Sequence, residues 1–301
     1  MTAELFTLFL ASTVRLAVPL LFAATGELVS ERAGVVNMSV EGMMLTGAFG
    51  GAMGAAYTGS PMLGLCCAIL AVLPIAVLQS VMTNTLRANQ IVTGIGINIM
   101  ALGLTTLGYR ALFGARSREI IPGFDAWSPP LLGQTPLVGG VFQQVWLFYL
   151  AAAIIAVVGY VLARTGLGIV LRAAGDNPQS VIRSGAPLKG VRHAAVIFTG
   201  VMSALGGAFL SIGDIHTFTE GMTNGAGYLA IVAVIFGSWR LWPTVAACLL
   251  FGAATALQFQ LPAFGIHIPN ALLIMMPYLL ALLAVAGVVG HQTAPRALTQ
   301  N

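Results

Sequence analysis

Apolar residues follow one another along this chain in uninterrupted stretches of about 20 residues, with short polar connections between them. An α-helix of that length crosses the hydrocarbon core of a bilayer, whereas the strands of a membrane β-barrel would alternate apolar and polar residues. We therefore predict an all-α, polytopic integral membrane protein with about 8–10 transmembrane or half-membrane helices. The predicted segments are about Leu5–Leu28, Val35–Tyr57, Met62–Asn84, Ile91–Phe113, Val145–Ala163, Ala194–Ile212, Gly227–Trp239, Pro243–Phe259 and Pro269–Val289. The segment Gly227–Trp239 is too short to cross the bilayer unless it extends upstream.

The composition supports a membrane location for the whole chain. Of the 301 residues 58% are hydrophobic and only 7% are charged, whereas about 25% of the residues of a soluble domain are charged. Lys and Arg number 13 in all, too few and too scattered for a nucleic-acid surface. We expect residues 1–301 to form a single transmembrane domain in contact with membrane lipid, and we expect no nucleic acid as a partner.

The distribution of basic residues predicts which connections face the cytoplasm. Arg164–Arg192 contains five of the 13 Lys and Arg residues and one acid, so the positive-inside rule places it in the cytoplasm. Gly213–Asn224 contains two acids and no base, which fits the outside. Counting from these two connections places Arg87, Arg240 and the C-terminal tail inside and Gly114–Gln144 outside. The same counting places the N-terminus outside, unless one of the early segments is broken or re-entrant.

The first polar cluster lies in the second apolar segment and just before it. Gly26–Gly34 and the following Asn37, Ser39 and Glu41 are too polar for an ordinary lipid-facing span. A discontinuous helix that lines a cavity is the arrangement that tolerates such residues inside a membrane. Asn37 and Glu41 are four residues apart, so one helix face would carry both, and we predict that they line the solute pathway together with Ser39. The alternative is that Glu41 only caps a helix end in the headgroup region.

A second cluster occupies Asn89–Asn98, where Gln90, Thr93 and Asn98 lie on roughly one side of a predicted helix together with the small residue Gly94. These side chains either contact the permeating solute, which is the role we assign to them, or hold two helices together. Small residues allow close approach of a second helix, and amide groups form hydrogen bonds across the contact.

The third cluster lies in the basic cytoplasmic connection and predicts a short helix, about Pro178–Ser184. Asn177 is a favourable N-cap, Pro178 suits the first helical position, and Gly185 suits the residue after the helix. A capped helix presented to the cytoplasm is typical of a docking element for another protein, although an inert loop is the alternative. The residues assigned to docking are Arg172, Asp176, Asn177, Pro178, Ile182, Arg183 and Gly185.

Motifs of enzymes are missing from the sequence. A P-loop needs Gly-Lys-Ser/Thr, but the only lysine, Lys189, follows Leu188. The four histidines are dispersed, without metal-binding spacing, and no Gly-x-Ser-x-Gly sequence occurs. We therefore expect no catalytic residues, no metal site and no cofactor, and no ATPase activity of the chain itself.

These clusters carry a resemblance to a known family. Gly166–Gly185 resembles the cytoplasmic loop of ABC importer permeases of the branched-chain amino acid, ribose and nucleoside class. Four further stretches resemble the nucleoside and simple-sugar branch of that class: Gly34–Ala48, Asn89–Asn98, Ala230–Arg240 and Met276–Tyr278. Two departures are visible, because Trp242-Pro243 follows Arg240-Leu241 where Trp-Arg-Pro is usual, and Met38-Ser39 replaces Leu-Gly.

The resemblance implies that the chain is a single permease domain, with about residues 164–192 as its coupling loop, in the bacterial inner membrane. It implies three protein partners: a cytoplasmic ATPase, a second permease subunit, with a heterodimer expected, and an external solute-binding protein. It also implies purine nucleosides or related sugars as the solutes, and a loop helix that transmits closure of the ATPase to the spans. The alternatives are a branched-chain amino acid permease of the same class and a stand-alone channel or secondary transporter. A secondary transporter would need several convergent intramembrane carboxylates, of which Glu41 is the one we nominate.

Overall fold

The computed structural model describes residues 2–114, 120–128, 139–261, 269–283 and 294–299, and these are mainly helical. Its α-helices are α1 Thr2–Arg32, α2 Val40–Thr58, α3 Pro61–Ser80, α4 Gln90–Phe113, α5 Trp146–Arg164, α6 Gly166–Asp176, α7 Pro178–Arg183, α8 Leu188–Ala208, α9 Ala226–Phe236, α10 Leu241–Gln260 and α11 Asn270–Leu283. The helices α3 and α8 continue with π-helical geometry over Val81–Thr85 and Phe209–Ile215. The remaining elements are two 3-10 turns, Gly139–Phe142 and Arg296–Thr299, and an antiparallel pair of two-residue strands, β1 Ala126–Trp127 and β2 Gln144–Val145.

Six of these helices are long and apolar enough to cross a bilayer: α1, α3, α4, α5, α8 and α10. Among the described residues α9 and the apolar part of α11 are shorter, and α2 is mostly buried inside the protein. The prediction of an all-α polytopic membrane protein is therefore confirmed. The prediction that the segment containing α9 is too short to cross is also confirmed, because its 11 residues span about 17 Å, roughly half of the hydrocarbon core.

The centre of the fold is α8, which is the most deeply buried of the six spans. It packs against α1, α2 and α3, and its contact with α2 is close because both helices carry small residues. A Cβ atom added to Gly207 would lie 1.9 Å from the carbonyl oxygen of Met44. The two backbones therefore touch, which is how membrane helices gain van der Waals packing when burial from water contributes nothing.

Contacts of α1 identify the side of the membrane on which it begins. Its N-terminal half lies near outer elements, since Thr7 approaches Gly140 and Nε of Arg15 is 3.4 Å from Oδ1 of Asp214. Its last residue, Arg32, donates from Nε to the carbonyl oxygen of Trp239, 2.6 Å away, beside the inner connection between α9 and α10. The start of α1 therefore lies on the same side as the connection Gly213–Asn224, and its end on the side of the connection between α9 and α10.

The main difference from the predicted elements is at the start of the second apolar segment. We predicted a helix from Val35, but α2 begins at Val40, and Ala33–Ser39 forms a non-helical break between α1 and α2. The break arises because side chains of α1 and α4 bind its backbone, as described below. Near the other end of the chain, the predicted segment Pro269–Val289 lies within the described residues only as far as Leu283.

The contact between α2 and α8 yields a stability prediction. Gly207→Ala forces a methyl group into the α2 backbone, and we expect the free energy of unfolding to fall by about 1–3 kcal/mol, the usual cost of overpacking. The measurement is unfolding of the purified chain in mixed micelles. Gly103→Ala on α4 is the matched control, because no heavy atom lies within 4 Å of its added Cβ. Equal stabilities of the two variants would show that the contact is not tight.

Candidate functional site

The break Ala33–Ser39 leaves backbone groups without helical partners inside the membrane, and α1 supplies some of the replacements. The Oγ atom of Ser30 donates to the carbonyl oxygen of Val35 at 2.7 Å, and the Val35 N–H donates back to the Ser30 carbonyl at 3.1 Å. The carboxylate oxygen Oε1 of Glu27 accepts from the N–H of Asn37 at 2.8 Å. Unsatisfied backbone groups cost several kcal/mol in lipid, so these bonds are what allow the break to exist.

Asn37 and Ser39 are fully buried and form the last turn before α2. Oδ1 of Asn37 accepts from both the N–H of Ser39, at 3.1 Å, and its Oγ, at 2.6 Å. An Asn side chain competes in this way with helical hydrogen bonding and favours turns. The prediction that Asn37 and Glu41 share one helix face is therefore wrong, because Asn37 lies before the first helical residue.

The polar side of α4 supplies the other replacements. Oε1 of Gln90 accepts from the N–H of Val36 at 2.9 Å. Asn98 donates from Nδ2 to the carbonyl oxygen of Met38 at 2.8 Å, and its Oδ1 accepts from the N–H of Gly42 at 2.8 Å. In this conformation the two amides hold the break against α4, as the helix-contact alternative stated.

Thr93 is half-buried on α4, between the positions of these two amides. The six residues predicted for the pathway therefore fall into three groups. Asn37 and Ser39 form the break, Gln90, Thr93 and Asn98 lie on the helix that holds it, and Glu41 is in the first turn of α2.

Glu41 binds the beginning of the half-helix α9. Its Oε1 accepts from Oγ1 of Thr223 at 2.7 Å and from the N–H of Gly225 at 2.8 Å, and its Oε2 accepts from the N–H of Gly227 at 2.7 Å. A carboxylate is favoured there, because the first N–H groups of a helix are unpaired and its dipole is positive at that end. A Cβ on Gly227 would lie 2.5 Å from the backbone nitrogen of Glu41, so glycine is what allows this approach.

The carboxylate of Glu41 lies well away from the cytoplasmic end of α9. The inner end of α9 is followed by Trp239, whose carbonyl oxygen binds Arg32 at the inner end of α1. The 11 residues of α9 therefore place its start about 17 Å further from the cytoplasm. The hydroxyl of Tyr228 also accepts from Nδ2 of Asn98, at 2.8 Å. The break and the half-helix thus meet, and the irregular segment lies between two separate helices, α1 and α2.

A cavity of about 990 Å³ lies on the cytoplasmic side of this meeting point. Its lining comes from the break, from the start of α4, from α9 and from the cytoplasmic loops, and includes Glu31, Val36, Met38, Arg87, Gln90, Ile91, Ile182, Lys189, Arg192, Ile231, Ile235 and Trp239. One space therefore adjoins both the break and the predicted docking helix. Of the pathway residues, Gln90 lines it directly.

The predicted docking helix is present and is one residue shorter at its end than expected. Oδ1 of Asn177 accepts from the N–H of Ser180 at 3.2 Å, Pro178 occupies the first turn, and Gly185 has a φ of +78°. The predicted start and stop are thereby confirmed. Ile182 is 54% exposed beside the cavity, as an interface residue without its partner would be.

The other residues assigned to docking surround α7. Arg172 and Asp176 are exposed on α6, and Arg183 is exposed at the last position of α7. Nε of Arg172 donates to the carbonyl oxygen of Gly168 at 3.2 Å, within its own helix. The structure therefore brings the whole set to one cytoplasmic surface, while its docking role stays a prediction.

Arg192, the last residue of the basic connection Arg164–Arg192, has a structural role that the sequence did not predict. Its Nε donates to the carbonyl oxygen of Ala33 at 3.1 Å, and its Nη2 donates to that of Ala174 on α6 at 3.2 Å. One guanidinium group thus joins the start of the break to the helix before α7. No motif around Arg192 indicates this contact, because the carbonyl oxygens of Ala33 and Ala174 are distant from it along the chain.

On the other side of the protein, an ion pair holds the loop that precedes α9. Arg110 at the end of α4 forms two hydrogen bonds with Glu220, of 2.7 and 2.9 Å. The guanidinium group lowers the pKa of the Glu220 carboxyl below its ordinary value. Because the pair is exposed, it positions the loop without much effect on stability.

The fold is similar to that of solved ABC transporter membrane subunits. A chain from a transporter provisionally described as of the metal-chelate type, solved in an inward-facing conformation, superimposes with a TM-score of 0.54 at 14% identity. The match covers 92% of this chain and 84% of that one. At such low identity the similarity concerns the fold alone.

Curated relatives match over nearly the whole length. The guanosine ABC transporter permease protein NupQ of Bacillus subtilis (strain 168) is 31% identical over 309 residues, covering 98% of this chain and 96% of the relative. TsgC13 of Haloferax volcanii, provisionally named a glucose ABC transporter permease, is 36% identical over 269 residues, covering 87% and 80%. These matches and the six spans agree with the predicted location, a multi-pass protein of the bacterial inner membrane.

The family model for the branched-chain amino acid transport system permease component matches residues 9–286. It covers the break, the half-helix and the cytoplasmic helix in a single match. The chain therefore belongs to this family of ABC transporter permeases.

Proposed function

We propose that this protein is the membrane-spanning subunit of an ABC importer that moves a nucleoside or a simple sugar, with ATP hydrolysed by a separate subunit. The observation that carries the proposal is the cavity of about 990 Å³, because Gln90 beside the break and Ile182 of the docking helix both line it. The relatives named for guanosine and glucose transport support the choice of solute. A branched-chain amino acid, which the family description mentions, is the second candidate.

The contacts suggest how movement of the docking helix reaches the membrane. An ATPase that closes against α7 displaces α6, since the two helices adjoin. Arg192 links α6 to the break through the carbonyl oxygens of Ala174 and Ala33. The break in turn contacts α4 through Gln90 and Asn98. Displacement of this connected set is a two-state change of the kind that alternating access requires.

The same polar groups are suited to a solute that carries hydroxyl groups and ring nitrogens. Amides both donate and accept, and a carboxylate accepts two or more hydrogen bonds. In this conformation Glu41 and Asn98 bind α9 and the break, so their contact with a solute requires α9 to move away. We propose that this exchange of partners accompanies passage of the solute.

The partners follow from the proposed role. A single chain offers one docking helix, and an ABC importer uses two permease subunits, two ATPases and an external solute-binding protein. We propose a second permease subunit as the partner within the membrane and a solute-binding protein as the partner on the outer side.

The first functional prediction concerns ATP. The sequence has no P-loop, so the purified chain in nanodiscs should hydrolyse no ATP. The measurement is phosphate release, with a sample from cells that carry an empty vector as the control for contaminating ATPases. Turnover that follows this chain through successive purification steps would contradict the proposal.

The second prediction concerns Glu41. Glu41→Ala removes the cap of α9, which costs about 0.5–2 kcal/mol at other helix starts, and we expect solute uptake to fall while membrane insertion stays normal. Glu41→Gln keeps an acceptor oxygen and should retain more of the uptake. Uptake of labelled guanosine by cells that produce the complete transporter measures both variants. Normal uptake and affinity in Glu41→Ala would make Glu41 a structural cap only.

The third prediction concerns the docking helix. Ile182→Asp places a charge on its exposed apolar side chain, and we expect the ATPase to be lost in pull-down experiments and uptake to stop. Arg183→Ala is the matched control on the neighbouring position, and it should have the smaller effect, because an exposed ion pair is worth under about 1 kcal/mol. Asn177→Ala should weaken α7 by about 1 kcal/mol through loss of its cap. Retention of both ATPase binding and uptake in Ile182→Asp would rule out α7 as the coupling element.

A further inference from the structure

Two carboxyl groups lie buried on α1, and only one oxygen of each has a hydrogen-bond partner. Glu27 and Glu31 are four residues apart on one face of α1 and are 0% and 1% exposed. The cost of burying a charged carboxylate within a membrane protein is high, so such groups are paired, protonated or functional.

Each carboxyl group uses one oxygen for a defined hydrogen bond. Oε1 of Glu27 accepts from the N–H of Asn37 at 2.8 Å, and Oε2 of Glu31 accepts from Nε1 of Trp239. The pair therefore connects the break with the residue that follows the inner end of α9. Glu31 also lines the cytoplasmic cavity.

The second oxygen of each carboxyl group has no hydrogen-bond partner. These atoms are Oε2 of Glu27 and Oε1 of Glu31, both buried, and the four-residue spacing makes the two side chains neighbours on the helix surface. Two ionised carboxylates have only acceptor atoms and cannot bind one another, whereas one proton converts the contact into an O–H···O bond.

Two arginines near the pair, Arg32 and Arg192, form hydrogen bonds with backbone carbonyl groups. Arg32 donates to Trp239 and Arg192 donates to Ala33 and Ala174. The titratable and charged groups carried by the elements around this end of α1 include Glu41 on α2, Arg172 and Asp176 on α6, Lys189, Arg192 and His193 on α8, Arg240 before α10 and Arg296 in the C-terminal turn. The unpartnered oxygens of the pair receive no hydrogen bond from any of these groups.

We propose that Glu27 and Glu31 form a proton-binding site that holds one shared proton, between Oε2 of Glu27 and Oε1 of Glu31, in this conformation. The pair then carries one negative charge, and every carboxyl oxygen has a partner. Protons reach the site from the cytoplasmic cavity through Glu31. This inference does not depend on the identity of the solute or on the presence of an ATPase.

The sign of the pH effect follows from the proton. At low pH the proton is present, the pair is bonded, and both the break and the end of α9 are held. As the pH rises the shared proton is lost, and the two neighbouring carboxylates on this face of α1 repel each other. This conformation is therefore stabilised at low pH and destabilised as the pH rises, and the proton number depends on the conformation.

Infrared spectroscopy of the purified full-length chain in nanodiscs tests the site directly. The wild type should show the C=O stretch of a buried protonated carboxylic acid at neutral pH, and the band should disappear as the pH is raised. Either Glu27→Gln or Glu31→Gln should abolish the band, because one carboxylate then binds an amide. The amide oxygens preserve the bonds to Asn37 and Trp239, so both variants should fold. Asp125→Asn, an exposed acid in the outer loop, is the control and should leave the band unchanged.

A second measurement follows the thermal stability of the same samples against pH. The wild type should lose stability as the pH rises, whereas either Gln variant should lose clearly less over the same range. The inference is overturned if the wild type lacks the band, if both Gln variants retain it, or if sodium at constant pH replaces the proton and removes the band. Should a Gln variant fail to fold, the partner variant and the titration of the wild-type band still decide the question.

Discussion

The structure depends on one constraint: a run of backbone groups inside the membrane has no helix to pair with. Residues 33–39 interrupt the helical path between α1 and α2, and lipid offers no hydrogen bonds in exchange. Side chains from two directions take over: the buried Glu27 and Ser30 on α1, and the half-buried Gln90 and buried Asn98 on α4. Each of these polar residues would be costly in an ordinary span, and each is here because the break needs it.

The half-helix α9 solves the same problem at its own end. The carboxylate of Glu41 on α2 binds N–H groups at the start of α9. The carboxylate of Glu31 on α1 binds Trp239, which follows the inner end of α9. Two interruptions of regular structure therefore share one polar interior, next to a cavity that reaches the cytoplasmic docking helix. A regular helix forms its backbone hydrogen bonds within itself, so its backbone has no need of partners from other helices. The proposed exchange of side-chain partners at these interruptions is the kind of two-state change that a gated pathway requires.

Much of this architecture could be predicted from hydropathy and capping alone. The spans follow the apolar segments to within a few residues at most ends, and Asn177, Pro178 and Gly185 delimited the cytoplasmic helix because caps are local chemistry. The position of the break was less accessible. We predicted a helix from Val35, but the side chains of Asn37 and Ser39 form a turn there, and contacts from α1 and α4 hold the segment out of the helix. Glu41 was recognised as a membrane-embedded acid, but its partners on the loop before α9 are more than 180 residues away along the chain.

The sequence by itself determined the class of the protein, most of its helices and the family, because each follows from composition, short-range periodicity or motifs along the chain. The tertiary structure alone decided which polar side chains bind which backbone groups. It turned Asn37 from a presumed helix-face residue into a turn former, and gave Arg192 a place between the break and α6. It also brought Glu27 and Glu31 into a buried pair next to Trp239. Their four-residue spacing is visible in the sequence, but their burial depends on how α1, α8 and α9 pack together.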